Sequence, residues 1–496
     1  MSTTWSEFYK LAFQEVFKNL KLVNGIAVGL NTNVDAIYHM RSERIVELIH
    51  KLDIDSVSLY KKIVKWKGII EEPDDYVAGL CGCFEKGKAS EWLIQNEDTY
   101  NFLLENLPID RTLRMGGQAG IMANALSELG LRKVIVHSNT LPNELKKLFT
   151  RNKNLVMPVF NKNREVVFTH PRKVKTIDDR LYLHLISEIH KNDGIKIGAS
   201  IEWICPKNNR FIATFDPPNA ELKILDSFRE GIELIATSTD AIILSGFHLL
   251  NTTELGLEKV KERIMAVLEL TKQAKISNPN ILLHLELSST KNNVILLELF
   301  KLLRKDVYWD SIGCNERELA EVLSVIGESK LAKEISREPF QKKVLDGCSK
   351  VCQKLSLKRL HLHQFGCYTV LTKDDYSIPN ELVKKSLCFA SLITAQKANT
   401  GKIKRDLDVD SLISSTRIDS HLTKAYKELV TILKEEPDIN EDEFRTLGIA
   451  KYHGFNLISV PTILVDKPKF TVGLGDTISS TTLAAEIALK KLQSNN

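Results

Sequence analysis

Thr471-Val-Gly-Leu-Gly-Asp-Thr-Ile-Ser479 is the segment from which the architecture of this chain follows most directly. An apolar run, residues 457–465, precedes it, and a run with helical periodicity, residues 481–489, follows it. The pattern predicts a strand, a glycine turn and the start of a helix. Gly473 and Gly475 let the backbone turn tightly and approach a ligand. The free N–H groups of a helix start attract an anion to that point.

Asp476 adds a carboxylate at the same point. A general base beside an anion site is what phosphoryl transfer to a hydroxyl group requires. The segment alone is also compatible with an ordinary glycine turn whose aspartate caps a helix. Only the motifs elsewhere in the chain separate these two interpretations, and they make Asp476 a candidate catalytic base.

The composition is that of an ordinary globular protein and argues against several functional classes. The 496 residues are 43% hydrophobic and 26% charged, enough to bury a large core. The net charge of +5 is spread along the chain without a basic stretch interleaved with aromatic residues, which argues against nucleic acid. No apolar run approaches the ~20 residues of a membrane span, and the N-terminus lacks the pattern of a signal peptide.

The eight cysteines contain no C-x-x-C pair, which argues against a structural zinc site. Scattered free thiols are typical of a reducing compartment. We therefore expect a cytoplasmic protein without a membrane partner.

Apolar runs alternate with helical patterns along most of the chain, which predicts a mostly parallel, doubly wound α/β sheet. The predicted strands are 25–30, 133–137, 241–245, 281–285, 307–312, 359–363 and 457–465. The predicted helices are 6–20, 41–66, 119–130, 253–275, 291–304 and 316–334.

Residues 155–216 differ, because short β-type runs lie there among charged turns. This sequence pattern predicts antiparallel strands of a smaller, inserted, β-rich unit. We expect a large core of residues 1–36, 115–158 and 216–496. The smaller unit is expected to comprise residues 37–114 and 159–215.

Polar clusters stand where predicted strands end, and ligands of open α/β sheets bind in that crevice. Asn31-Thr-Asn-Val-Asp35 can hold sugar hydroxyls or form an Asx-rich turn. Arg114-Met-Gly-Gly-Gln-Ala-Gly120 can admit a ligand or serve close helix packing. His361-Leu-His363 can stack on a nucleobase or lie half-buried with satisfied hydrogen bonds.

Acidic residues follow two neighbouring predicted strands. His284-Leu-Glu286 ends one strand, and Asn315-Glu-Arg-Glu318 follows the next. Carboxylates beside a phosphate can hold Mg²⁺, usually through water. The second cluster also fits an N-capped helix with acidic residues in its first turn.

Taken in order, these clusters resemble the ADP-dependent sugar kinases, namely the archaeal ADP-dependent glucokinases and phosphofructokinases and the related animal glucokinase. The resemblance extends from Trp5 to about Leu489. The motifs that carry it are Asn33-Val-Asp35, Gly87-Lys-Ala-Ser-Glu91, Gly116-Gly-Gln-Ala-Gly120, Asn209-Arg-Phe-Ile212, Ser245-Gly-Phe-His248, His284-Leu-Glu-Leu-Ser288, Asn315-Glu-x-Glu318, His361-x-His363 and Thr471 to Ser479. The family implies a ribokinase-like α/β core with a smaller β-rich lid that closes over the sugar.

The resemblance also implies roles for individual residues. Asp476 corresponds to the catalytic base, with Gly473 and Gly475 in the anion hole. The implied magnesium residues are Glu286, Asn315, Glu316, Glu318 and Asp476. The implied nucleotide residues are His363, Val472, Gly473 and Gly475. The implied sugar residues are Asn33, Asp35, Glu91, Gly117, Gln118 and His184.

Two positions favour glucose over fructose 6-phosphate. The family's phosphofructokinases tend to have a small residue where this chain has Glu91, whose carboxylate would repel a sugar phosphate. They also carry Lys and Asn in the strand that here contains Tyr182 and His184. The expected reaction is transfer of the β-phosphate of ADP to the 6-hydroxyl of glucose, with Mg²⁺, by a monomer.

Alternatives remain open at this point. An ADP-dependent 6-phosphofructokinase or a kinase of both sugars is the nearest one. A non-catalytic sugar or nucleotide sensor and an ATP-using ribokinase relative are less favoured, because Asp476 is intact and the chain is long. One departure from the archaeal pattern is the lack of an Arg shortly after Arg210-Phe-Ile, which leaves the cation for the ADP phosphates unassigned.

Overall fold

A computed structural model describes residues 4–197, 201–290, 292–303, 309–416, 418, 422–436, 441–466 and 468–495. In chain order the strands are β1 (Ile26–Gly29), β2 (Asn33–His39), β3 (Ile69–Ile70), β4 (Ser90–Ile94), β5 (Thr112–Gly116), β6 (Val134–Val136), β7 (Leu155–Phe160), β8 (Val166–Thr169), β9 (Leu183–Ile189), β10 (Gly194–Ile197), β11 (Ile201–Ile204), β12 (Asn209–Thr214), β13 (Ala241–Leu244), β14 (Leu282–Glu286), β15 (Ser311–Cys314), β16 (Arg359–His363), β17 (Cys367–Thr372), β18 (Ile449–Tyr452) and β19 (Phe455–Pro461).

The helices are α1 (Trp5–Asn19), α2 (Ser42–Lys51), α3 (Ser56–Lys65), α4 (Pro73–Lys86), α5 (Glu97–Asn106), α6 (Gln118–Leu129), α7 (Asn143–Leu148), α8 (Pro217–Ala220), α9 (Asp226–Glu230), α10 (Ile232–Ser238), α11 (Thr252–Leu255), α12 (Leu257–Ser277), α13 (Asn293–Leu303), α14 (Glu316–Val325), α15 (Ser329–Arg337), α16 (Gln341–Lys354), α17 (Asn380–Thr400), α18 (Val409–Thr416), α19 (Lys424–Leu433), α20 (Glu441–Leu447) and α21 (Leu474–Asn495). No helix in this described part of the chain is both long and apolar enough to cross a membrane.

The large sheet has the strand order β18-β19-β17-β16-β15-β14-β13-β1-β6-β7-β8. The strands from β16 to β7 pair in parallel, whereas β17, β19, β18 and β8 pair antiparallel at the two edges. Strands β1 and β13 are buried along their whole length, as expected of a sheet covered by helices on both faces. The carboxyl ends of β1, β13, β14, β15 and β16 therefore meet at one edge of the sheet.

The small sheet has the order β3-β4-β12-β9-β2-β5, and β10 and β11 form a separate hairpin. The chain enters this sheet directly after β1 and leaves it through β5, whose Gly116 lies opposite Asn33 of β2. After that crossing, the Ala119 N–H donates to the Asn31 carbonyl at 3.1 Å. Both crossings therefore lie beside the carboxyl ends of the large sheet. The predicted α/β class, with a doubly wound core and a smaller β-rich part, is confirmed.

The structure differs from the sequence prediction in local detail. The predicted helix 41–66 is two helices, because Asp53 adopts a φ of 48° and Asp55 caps α3 by accepting from the Ser58 N–H at 2.9 Å. The predicted helix 316–334 breaks at Gly327, where φ is 89°. Part of the predicted strand 307–312 lies outside the described residues, and β15 begins at Ser311.

Sheet pairing also differs from the predicted division of the chain. Strand β8 pairs with β7 and extends the large sheet, although it falls within the range 159–215 predicted for the smaller unit. Strands β2 and β5 pair in the small sheet over their full lengths, so the crossings lie nearer residues 32 and 117 than 36 and 114.

Candidate active site

The glycine-rich segment forms the first turn of α21. Gly473 adopts a φ of 70°, which favours glycine, and α21 begins at the next residue, Leu474. The first backbone bond of the helix runs from the Thr477 N–H to the Gly473 carbonyl at 3.2 Å. The N–H groups of the residues between them precede that bond and point from the positive end of the helix, where an anion is stabilised.

A lysine that sequence reasoning did not identify supports this turn. Lys397 lies near the end of α17, and its Nζ donates to the Gly473 carbonyl at 3.0 Å and to Thr477 Oγ1 at 2.7 Å. Burial of the ammonium lowers the pKa of Lys397 to about 8, which the Asp476 carboxylate opposes. Lys397 therefore places a cation directly beneath the anion-binding turn.

Asp476 faces a cavity of about 450 Å³ that we call the catalytic cavity. Burial and the nearby Glu286 carboxylate raise the pKa of Asp476 to about 6, against the opposing effects of Lys397, His363 and a Gln118 hydrogen bond. A carboxylate with this pKa is ionised near pH 7 and still accepts a proton readily, as a general base must. The other predicted site residues on this cavity are Gln118, Glu286, Asn315, Glu316, Glu318, His363, Gly473 and Gly475.

Glu286 is held at the floor of this cavity by two histidines. His284 Nε2 lies 3.0 Å from Glu286 Oε2, and His363 Nε2 lies 2.9 Å from Glu286 Oε1. Burial alone would raise the pKa of Glu286, but these hydrogen bonds outweigh it and lower the pKa to about 2. A Cβ atom on Gly313 would lie 2.0 Å from Glu286 Oε2, so only glycine fits beside the carboxylate.

His363 has a different contact from the base stacking considered from its sequence position. Its side chain is 8% exposed and bonded to Glu286, and its ring faces Gly475, where an added Cβ would lie 3.1 Å from Cε1. Burial lowers the pKa of His363, but Glu286 outweighs it and raises the pKa to about 9. His363 is therefore a buried cation that orients Glu286 beside the anion-binding turn.

The second acidic cluster starts α14 with a capping box. Asn315 Oδ1 accepts from the Glu318 N–H at 3.0 Å, and Glu318 Oε2 accepts from the Asn315 N–H at 2.8 Å. Glu318 also faces the catalytic cavity, and burial raises its pKa to about 8, although cationic His363 opposes the rise. Glu318 therefore fits both interpretations of this motif, because it caps the start of α14 and its carboxylate also faces the catalytic cavity.

The donor set fits Mg²⁺. The carboxylates of Glu286, Glu318 and Asp476 face one cavity, and oxygen donors are what Mg²⁺ prefers. The raised pKa of Glu318 is that of a carboxylate placed where a cation is needed to keep it ionised. Asn315 has its side-chain amide engaged by the capping box, so it orients Glu318.

The predicted sugar residues form a second polar group around β2 and β9. Asn33 Nδ2 lies 2.8 Å from a His184 ring nitrogen, and His184 Nε2 lies 3.0 Å from Asp216 Oδ2. Burial lowers the pKa of His184, but the Asp216 carboxylate outweighs it, so the pKa is raised. Asp216 was not among the site residues predicted from the sequence.

Asp35 lies level with His184 in the parallel pairing of β2 and β9. Burial raises the pKa of Asp35 to about 6, and His184 opposes this rise. A Cβ atom on Gly116 would lie 1.9 Å from Asn33 Oδ1, so a glycine there lets both side chains stay in place. Gly117, with a φ of 71°, then turns the chain into α6 and Gln118.

Glu91 lies on β4, across the small sheet from Asp35. Its Oε1 accepts from Thr214 Oγ1 at 2.8 Å, which leaves its other oxygen to face a cavity of about 700 Å³. Arg210 and His248 line the same cavity, which we call the sugar cavity. Arg210 also lines the catalytic cavity and donates to Thr471 Oγ1 at 3.1 Å, so it connects the small sheet to the turn before α21.

Four buried polar atoms at these positions have no hydrogen-bond partner among the described residues. They are Asn33 Oδ1, Gln118 Oε1, Arg210 Nε and His248 Nδ1. Buried polar atoms are nearly always paired in a folded protein. Asn33 Oδ1 and Gln118 Oε1 are acceptors that suit sugar hydroxyl groups, and Arg210 Nε is a donor that suits a hydroxyl or phosphate oxygen. Arg210 and His248 stand in motifs that were noticed in the sequence, but no local pattern assigned them to the site.

Val472 lines neither the catalytic cavity nor the sugar cavity. It lines a cavity of about 720 Å³ on the other side of the turn, together with Asp35, Arg114, Glu188 and Lys397. Thr471 lines this cavity and the catalytic cavity. The predicted nucleotide residues therefore lie on two sides of one loop.

Comparison with known proteins identifies the family of the chain. The ADP-specific phosphofructokinase/glucokinase conserved region matches residues 24–485. The chain is 31% identical over 487 residues to the ADP-dependent glucose/glucosamine kinase of Pyrococcus furiosus, covering 98% of this chain and 99% of that one. It is 26% identical to the ADP-specific phosphofructokinase of Methanosarcina acetivorans, covering 98% and 97% of the two chains.

Solved structures agree as well. An ADP-dependent kinase in complex with fructose-6-phosphate and ADPβS is 27% identical, with a TM-score of 0.78 and 98% of both chains covered. The last common ancestor of ADP-dependent phosphofructokinases from Methanosarcinales is 29% identical, with a TM-score of 0.74 and the same coverage. The chain belongs to the ADP-specific phosphofructokinase/glucokinase family and is an ADP-dependent sugar kinase.

Proposed function

We propose that this sugar kinase is an ADP-dependent glucokinase, which converts ADP and glucose into AMP and glucose 6-phosphate. Asp476 takes the proton of the 6-hydroxyl as O6 forms a bond to the β-phosphorus, and the bond from that phosphorus to the AMP oxygen breaks. The observation that carries the transfer step is the position of Asp476 in the same helical turn as the free N–H groups of α21.

Several groups of this chain neutralise the charge on the transferred phosphoryl group. The first amides of α21 offer donors, Lys397 lies beneath them, and Arg210 reaches the turn from the small sheet. Arg210 and Lys397 are our candidates for the cation that the sequence left unassigned. Bound Mg²⁺ would supply further positive charge, held near Glu286 and Glu318 mainly through water.

The choice of glucose is supported by the charged groups near Arg210. Asp35, Glu91 and Glu188 all interact electrostatically with Arg210. Asp35 also feels the cation of Arg114. The three carboxylates outnumber the two guanidinium groups, which disfavours the 6-phosphate of fructose 6-phosphate and favours the neutral hydroxyl groups of glucose.

A second candidate is an ADP-dependent 6-phosphofructokinase or an enzyme that uses both sugars. The observation that favours it is Arg210, whose side chain lines the same cavity as Glu91 and whose Nε has no partner among the described residues, because a guanidinium binds phosphate well.

The test is a coupled assay that crosses ADP and ATP with glucose, glucosamine and fructose 6-phosphate. We expect turnover with ADP and glucose, and little with ATP. A higher kcat/KM for fructose 6-phosphate than for glucose would replace the glucokinase assignment with the second candidate. Preference for ATP at saturating sugar would overturn the assigned donor.

A further inference from the structure

Three side chains with metal-binding groups meet at the rim of the small sheet, away from the catalytic carboxylates. His39 ends β2, Glu188 lies near the end of β9, and His190 follows β9 directly. One ligand atom from each lies within 4.8 Å of the others. The two histidines have no role in the proposed function, and Glu188 enters it only through its electrostatic interaction with Arg210.

The sheet itself brings the three together. Strands β2 and β9 run parallel with His39 level with Glu188, and strand alternation returns His190 to the side of Glu188. The Met40 N–H donates to the Glu188 carbonyl at 3.2 Å, and the His190 N–H donates to Asp193 Oδ2 at 3.1 Å. Backbone hydrogen bonds therefore fix the points from which the three side chains extend.

One separation within the cluster matches the edge of a tetrahedral site, and the third atom lies within 4.8 Å of the other two. Bonds of about 2.0–2.1 Å to nitrogen and oxygen separate neighbouring ligand atoms by roughly 3.3–3.4 Å. His39 Nδ1 and Glu188 Oε2 are 3.3 Å apart, which is one edge of such a tetrahedron. The imidazole rings of His39 and His190 lie nearly parallel, with centroids 6.0 Å apart, so small side-chain rotations bring the third nitrogen to the same ion.

The ligand chemistry selects the class of ion. Two imidazoles and one carboxylate suit Zn²⁺ and its neighbours in the first transition series, whereas Mg²⁺ and Ca²⁺ prefer oxygen ligands alone. Three protein ligands leave a fourth position for water. We propose that His39, Glu188 and His190 form a binding site for Zn²⁺, separate from the magnesium-type carboxylates of the catalytic cavity.

The proposed Zn²⁺ site is close enough to Arg210 for a bound ion to affect that residue. Glu188 lines the cavity that contains Asp35 and Val472, and it lies opposite Arg210 in the antiparallel pairing of β9 and β12. A cation bound to Glu188 would offset the negative charge of this carboxylate. The positive charge of Arg210 would then be less compensated and more available to a phosphate.

The experiment measures binding of Zn²⁺ alone to the EDTA-treated full-length enzyme, by calorimetry in the presence of excess Mg²⁺. The Mg²⁺ occupies the oxygen-ligand site, and the cysteines are all buried, so neither competes. We expect one ion per chain, and Co²⁺ in its place should give the visible absorption of a tetrahedral centre. Binding should weaken by at least about 10–100-fold in His39→Ala and in His190→Ala, because even outer-shell changes weaken metal sites by this much.

His453→Ala is the matched control, because His453 Nε2 lies 3.3 Å from a single carboxylate oxygen, that of Asp346, and is equally exposed. It should keep wild-type affinity. His39 and His190 are exposed, so their replacement leaves the fold intact, which thermal unfolding checks. The proposal is overturned if wild-type enzyme takes up no stoichiometric Zn²⁺, or if either histidine variant binds as tightly as the His453→Ala control.

Discussion

Replacing Glu91 by Ala should weaken the use of glucose by a calculable amount. Thr214 already occupies one oxygen of the carboxylate, so one oxygen remains for a sugar hydroxyl. A hydrogen bond to a charged group contributes about 1.5–3 kcal/mol, which corresponds to a loss of roughly 10–150-fold in kcat/KM. Removal of the negative charge should also raise the ratio of fructose 6-phosphate activity to glucose activity, because it leaves Arg210 with fewer opposing carboxylates.

The assay is steady-state kinetics with both sugars at saturating ADP. Glu97→Ala is the control, because Glu97 is an exposed carboxylate of α5 that pairs with Arg180. Thr214→Val tests orientation separately, since it keeps the Glu91 carboxylate but removes the hydroxyl that holds it. Wild-type glucose kinetics in Glu91→Ala would refute contact between Glu91 and the sugar, and the glucose assignment would lose its main support.

Three further substitutions and one titration test the rest of the site. Asp476→Asn keeps the size but removes the base, so kcat should fall by roughly 10²–10⁴-fold while ADP binding, measured by calorimetry, stays near normal. Lys397→Met removes the charged donor to the Gly473 carbonyl and should lower kcat by roughly 10–150-fold. Lys402→Met, on the cavity that Lys397 also lines, should leave kcat unchanged. Gly313→Ala pushes on Glu286 and should raise the Mg²⁺ concentration needed for half-maximal rate. Because the pKa of Asp35 is about 6, the carboxylate protonates as the pH falls through 6, so the KM for glucose should rise there, and Asp35→Asn should make that KM independent of pH.

Much of the core was predictable because its signals are local. Strand β16 occupies the residues predicted for it, and the polar clusters after β14 and β15 do face one cavity. Parallel pairing alone brings strand ends together, so residues more than a hundred positions apart could be assigned to one site. The helix start was predicted directly after the glycine turn, and α21 begins at Leu474, between the two glycines.

What could not be predicted depends on packing between distant elements. Lys397 lies in a long helix where a lysine usually marks a solvated face, and only the packing of α17 on α21 brings it to Gly473. The pairing of β8 with β7 has the same local pattern as the strands of the small sheet, so the pattern could not say which sheet it joins. The role of His363 follows from Glu286 on a strand two positions away in the sheet, which the sequence of β16 does not contain.

Helix α21 carries the base in its first turn, and its side chains from Thr477 to Leu489 are all buried. Its Glu486 accepts two hydrogen bonds from Arg359 and a third from Tyr376, in a fully buried ion pair. Segments of this kind exchange their amide hydrogens only when the whole domain opens. We therefore expect the amides of 477–489 to be among the slowest to exchange in deuterium oxide. Substitutions that weaken the core should then reduce the amount of active enzyme, while each molecule that remains folded keeps its turnover rate.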